Sequence, residues 1–231
     1  MLSAREFVHK LGQDNEALFR ASELQIKAYY DSNPSQEELV DNFIGRMVNE
    51  RMNMVEISNK VANMPEDADP DEVQMLAKQA LDEAKHFRMV RDVVEHLLGH
   101  KIDMEAAIAT HKDKLHQKGA SLIAKYEAQE DELMLALYQF VAEGRAARNW
   151  AMMSQCIEDP FIASTYAKIA KDEKFHSDIG RLKLEKLCRD EQNQQRVVSI
   201  INEMRRDLFA ITCSKTGMLE ESRQLMENAY N

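Results

Sequence analysis

The chain carries Asp-Glu-x-x-His twice, as Asp82-Glu83-Ala84-Lys85-His86 and, ninety residues later, as Asp172-Glu173-Lys174-Phe175-His176. Residues three apart on a helix share a face, so each Glu-x-x-His aims a carboxylate and an imidazole at one point. Apolar neighbours recur at the same spacing. Leu76, Ala80, Phe87, Val90 and Val94 accompany the first pair, and Tyr166, Ile169, Ala170 and Gly180 the second. Both pairs are therefore expected to face inward, where an uncompensated carboxylate is costly. A metal ion removes that cost.

Two such pairs could serve two metal ions, given one further inward Glu from each of two other helices. Glu50 meets the requirement before the first pair, because it interrupts the stripe of Met47, Met54 and Ile57. Glu56 is its rival, with more polar helical neighbours in Met52, Asn53 and Lys60. Glu143 in "YQFVAEGRAARNW" meets it before the second pair, flanked by Phe140, Ala147 and Trp150. The gaps agree: 33 residues from Glu50 to Glu83 and 30 from Glu143 to Glu173. Four carboxylates and two neutral imidazoles balance two divalent cations, and mixed oxygen and nitrogen donors suit Fe or Mn better than Mg. The pattern leaves Fe/Fe, Mn/Fe and Mn/Mn open. Asp82 and Asp172, each beside a ligand Glu, could accept a hydrogen bond from a ligand imidazole and orient it.

Glu-x-x-His by itself is a weak signal. Glu6/His9 is a third copy and Asp113/His116 a near copy, but neither has a matching acidic helix, so both are read as non-ligating. Gly144, Ala146 and Ala147 beside Glu143 either leave room for oxygen or substrate or allow close helix packing. Tyr138, Trp150 and Tyr166 read as core aromatics, with redox activity as the sharper alternative. His96 and His100 flank a helix end, where a cation is favoured.

The elements that must carry these residues are helices. Only 7 Gly and 4 Pro interrupt the 231 residues, and strong helix formers dominate. The periodicity predicts helices over about 4–30 with a possible break at Gly12, 37–62, 70–98 and 127–157. It continues with 160–187 and a helical tail from Glu191 that kinks near Gly217. Asp69 and Pro70 form a start signal and Gly99 a stop. The polar stretch near 100–122 reads as a helical connection. No low-complexity linker is evident, so one domain over 1–231 is expected, with a core at about 37–188. The 14 Met read as adaptable core packing.

A formal charge of −10 argues against a nucleic-acid partner. No run of 18 apolar residues is present, so no membrane span is expected. The opening residues lack the apolar core of a secretory signal, and Cys156, Cys188 and Cys213 form no Cys-x-x-Cys pair. A cytoplasmic protein with reduced thiols is expected.

The words "AKQALDEAKHF" (77–87), "AEGRAA" (142–147) and "DPFIASTYAKIAKDEKFHSDIG" (159–180), together with Glu50, resemble the ferritin-like non-haem di-iron carboxylate oxygenases, in particular the catalytic subunits of the phenylacetyl-CoA and benzoyl-CoA epoxidases. The likeness covers about residues 40–185. It implies an all-α, ferritin-like four-helix bundle with additional N- and C-terminal helices. Two irons would be held by Glu50, Glu83, His86, Glu143, Glu173 and His176, with Asp82 and Asp172 behind them and O2 as co-substrate. The implied activity is a monooxygenase-like oxidoreductase that hydroxylates, epoxidises or N-oxidises a small organic substrate, with an aromatic compound or a CoA thioester as candidates. An external reductase would supply electrons, since no flavin or iron–sulfur motif occurs, and a homodimer or hetero-oligomer would be in keeping. The alternative is iron oxidation, storage or peroxide detoxification of the ferritin or rubrerythrin kind.

Overall fold

The structure is a computed structural model that describes residues 2–118, 125–126, 131–214 and 217–230, with the backbone alone over 112–118. Among these residues the chain is all-α. The helices are α1 (Ala4–Asp14), α2 (Glu16–Asp31), α3 (Gln36–Ala62), α4 (Pro70–Leu98), α5 (Met104–Lys118), α6 (Glu132–Cys156), α7 (Pro160–Leu187), α8 (Glu191–Thr212) and α9 (Glu220–Tyr230). None is long and apolar enough to cross a membrane.

The chain divides into two compact units, one of Met1–Asn33 with Gly119–Asn231, the other of Pro34–Lys118. In the second, α3 and α4 pack as an antiparallel pair, since Gln36 at the start of α3 donates to the Leu97 carbonyl at the end of α4 at 2.6 Å. Local chemistry sets where both begin and end. Ser35 and Glu38 form a reciprocal capping box on α3. Asp69 caps α4 with Pro70 at its first position, and Gly99 closes it at φ 71°, a left-handed conformation that favours glycine. Phe43, Met47, Ile57, Leu76, Val90, Val93 and Val94 are buried along the two helices. The polar connection contains α5, held to α3 through His111, whose Nε2 lies 2.9 Å from Asp41 Oδ1.

The other unit is built on α6 and α7. Asp131 and Asp159 cap their starts, each accepting from two backbone amides of the first turn. Lys183, near the end of α7, pairs with Glu132 at the start of α6 at 3.6 Å, so these two also run antiparallel. Their backbones come very close. A Cβ on Gly180 would stand 2.5 Å from the Phe140 nitrogen and 2.7 Å from the Ala136 oxygen. Around this pair, Leu11, Leu18, Leu137, Val141, Leu184, Val197, Met204 and Leu208 belong to one apolar core.

The N-terminal helix expected over about 4–30 is two helices, and the break falls at Asn15 rather than Gly12. Asn15 is buried, and its Oδ1 accepts from Arg205 Nε at 2.8 Å. Arg205 also donates to the Leu11 carbonyl at 3.1 Å, and the Tyr230 hydroxyl donates to the Asp14 carbonyl at 2.5 Å. In an unbroken helix the Leu18 amide would donate to the Asp14 carbonyl; here it donates to the Tyr230 hydroxyl, which in turn satisfies that carbonyl. Gly12 instead sits inside α1, where a Cβ would be 3.4 Å from the Phe140 ring. The tail is two helices, and Gly217 between them has φ 68°. The fourth expected helix begins at Glu132; its expected first residues, 127–130, lie outside the described ones.

Candidate metal-ligand sets

Each unit carries one buried Glu-x-x-His pair with a further Glu close to it. In the Pro34–Lys118 unit these are Glu50 on α3 with Glu83 and His86 on α4, and one ligand atom from each lies within 4.8 Å of the others. His86 Nδ1 is 3.4 Å from Glu50 Oε2 and 4.0 Å from Glu83 Oε2. In the other unit Glu143 on α6 meets Glu173 and His176 on α7 within the same limit. There His176 Nδ1 is 3.2 Å from Glu173 Oε2.

Burial makes these sets chemically unusual. Glu50 is 3% exposed, Glu83 and His86 0%, Glu173 2% and His176 0%; Glu143 is half-buried. Buried carboxylates clustered with an imidazole nitrogen are stable only with compensating positive charge or protonation. Glu50 Oε2 in particular is shielded from water and makes no hydrogen bond. Two carboxylates and one imidazole per set, with that carboxylate oxygen still open to a cation, fit a metal ion of the Fe, Mn or Zn type. Either Glu/His set could hold one.

The helical stripes explain the placement. On α4 the buried positions include Leu76, Gln79, Glu83, His86, Val90 and Val93, a three- and four-residue rhythm with both donors within it. On α7 they include Ile162, Tyr166, Ile169, Glu173, His176, Gly180 and Leu184. Ala80, Phe87 and Ala170, expected in these stripes, are half-buried at their edges. On α3, Glu50 is the buried carboxylate and Glu56 is half-buried.

Asp82 is buried, and its two oxygens accept from Lys78 Nζ and, at 3.0 Å, from Lys85 Nζ. Asp172 is half-buried. The third motif copy is committed elsewhere, because Glu6 Oε2 accepts from the Ser3 amide at 3.0 Å as part of a helix cap and His9 is exposed. The side chains of Asp113 and His116 lie outside the described residues. Of the two readings of the small residues beside Glu143, close packing holds at Gly144. A Cβ there would be 2.9 Å from Phe19 Cζ and 3.1 Å from Ser177 Oγ, so that space is already filled. Trp150 and Tyr166 are buried with ring centroids 4.9 Å apart, and Tyr138 stacks on Tyr126 at 5.9 Å.

Two buried residues escaped the sequence reading. Gln79 and Gln139 lie one turn before Glu83 and Glu143, each on the carboxylate's own face. Their matching offset of four from a ligand Glu was the available signal.

Comparison of the chain with protein-family models, curated proteins and solved structures returns no match.

Proposed function

We propose that each of the two Glu/His sets holds one iron, and that the protein is an O2-dependent di-iron oxygenase or oxidase of the cytoplasm acting on a small organic substrate. The observation that carries this reading is the buried Glu-x-x-His pair that meets a further Glu once in each unit. When bound, a pair of reduced irons supplies the electrons and the coordination positions that activate dioxygen.

The residues have separate tasks in this scheme. Glu50, Glu83, Glu143 and Glu173 supply four negative charges, which two divalent cations neutralise. His86 and His176 supply neutral nitrogen donors. Lys78 and Lys85 hold Asp82 as a carboxylate next to Glu83, which keeps negative charge behind the donor set. The core around α6 and α7 shields the second set from water, which strengthens each electrostatic interaction there. Electrons enter from an external reductase.

Anaerobic titration of metal-free protein with Fe(II) tests the assignment. The expected end-point is two irons per chain, followed by O2 uptake when a chemical reductant is supplied. Glu83→Ala and His176→Ala each reduce the stoichiometry below two. Two irons retained in both variants would remove these residues from the site, and many irons per chain with mineral growth would establish storage instead.

A further inference from the structure

Asn42, Arg46, Asn49, Asn53, Glu56 and Lys60 follow one another along α3 at alternating four- and three-residue steps and so share one side of it. A side of this composition ordinarily faces water. Here Asn42 is buried and the other five are half-buried; none is exposed. Lys60, in the last turn, is the anomaly. Its Nζ is shielded from water and makes no hydrogen bond. Glu56 stands one turn earlier, the spacing at which a Glu and a Lys ordinarily pair, yet the ammonium makes no hydrogen bond to it. Among the described residues no carboxylate pairs with Lys60.

An ammonium withdrawn from water with no acceptor is expensive, and an arriving anion offsets that cost. Position suggests which anion. Lys60 and Glu50 are ten residues apart on one helix, about 15 Å along its axis at ~1.5 Å per residue. At ~100° per residue, Lys60 lies about 80° around the helix from Glu50, and Glu56 about 40° further away again. The polar side therefore runs from the ammonium past the Asn53 amide to the level of the first metal-ligand set, with Asn49 one residue beyond Glu50 and Glu56 furthest around the helix from it.

We propose that this side of α3 binds an elongated organic anion, with its carboxylate or phosphate group at Lys60 and its far end beside Glu50. The substrate class of the proposed oxygenase is then a long-chain or extended anionic compound rather than a small neutral one. This inference rests on the oxygenase reading for its chemistry but not for its binding.

The binding is therefore tested on the full chain without metal. Calorimetric titration uses two probe series, straight-chain alkyl carboxylates and alkyl phosphates of graded length. One saturable site per chain is expected, tightest for a probe whose length is about 15 Å, the span set by ten helical residues. Loss of one charge-assisted contact in Lys60→Gln weakens binding about ten- to a hundredfold, and Lys60→Arg stays within a few-fold of the native chain. The series that binds names the head group. Binding that is absent in both series, independent of chain length, or undiminished in Lys60→Gln overturns the proposal. Circular dichroism melts establish that the variants are folded, and the chain-length dependence of the native protein stands without any variant. Iron titration of Lys60→Gln runs in parallel and is expected to match the native protein. A native chain that binds the anion but no iron would sink the metal reading alone.

Discussion

Gly180 lies in α7 four residues after His176, where it faces the α6 backbone at close range, and Gly180→Ala puts one methyl group into that contact. The new Cβ would stand 2.5 Å from the Phe140 nitrogen, 2.7 Å from the Ala136 oxygen and 3.0 Å from Gln139 Cβ. The first two atoms are backbone, so no rotamer change relieves them. Ordinary contact begins at 3.4 Å, so the helices must separate locally by up to 3.4 − 2.5 = 0.9 Å. A gap of about 0.5–1 Å forfeits roughly a quarter to a half of the dispersion energy of the atoms that lined it. Overpacking of this kind costs about 1–3 kcal/mol. Alanine's better helix propensity returns about 1 kcal/mol. The contact is with backbone, so the upper part of the range applies and a net loss of about 1–2 kcal/mol is expected. Gly144→Ala on α6 is the control, with the same propensity gain. Its Cβ meets only the ends of the Phe19 and Ser177 side chains, at 2.9 and 3.1 Å. These can yield, so the control stays within about 1 kcal/mol of the native chain. Urea denaturation of the metal-free proteins measures both. The α6–α7 spacing also sets Glu143 against Glu173 and His176, so Gly180→Ala should weaken iron binding where Gly144→Ala does not. A Gly180→Ala variant as stable as the native protein, or one that loses no more than the control, would refute the reasoning.

Burial pushes the Cys188 and Cys213 thiols up from 9.0 to about 11, whereas Cys156 is only half-buried. Alkylation of the native protein near pH 8 is therefore expected at Cys156 first, with the other two protected until unfolding, as peptide mass spectrometry would report. A thiol pKa raised by folding gives stability that is fully present below pH 9 and lost as pH rises toward about 11. Melting temperatures should fall across that window, and a flat profile would contradict it. The Tyr230 hydroxyl accepts from the Leu18 amide at 3.1 Å and donates to the Asp14 carbonyl, so Tyr230→Phe strands a backbone amide. A loss of about 1–3 kcal/mol is expected on urea denaturation, and an unchanged midpoint would show that the phenol does not hold α9.

Local periodicity determined much of this protein. The spans of α3, α4 and α7 follow from caps, prolines and glycines within a turn of their ends, and those signals are all in the sequence. The association of Glu83 with His86, and of Glu173 with His176, follows from three-residue spacing alone, because a helix fixes that geometry wherever it sits. Glu50 and Glu143 were legible for a related reason, as single acids interrupting apolar stripes. What only the tertiary structure decided involves partners far away in the chain. The first helix breaks at Asn15, where the hydroxyl of the distant Tyr230 stands between the Leu18 amide and the Asp14 carbonyl. The space beside Gly144 is filled by Phe19, which decides between its two readings, and Gly180, read only as a member of its helical stripe, is pressed onto the α6 backbone. Lys60 read only as one of the polar helical neighbours of Glu56, and only the folded chain withdraws its ammonium from water. Spacing within one helix is set by covalent geometry, whereas what a side chain meets across a packed core depends on which distant atoms reach it first.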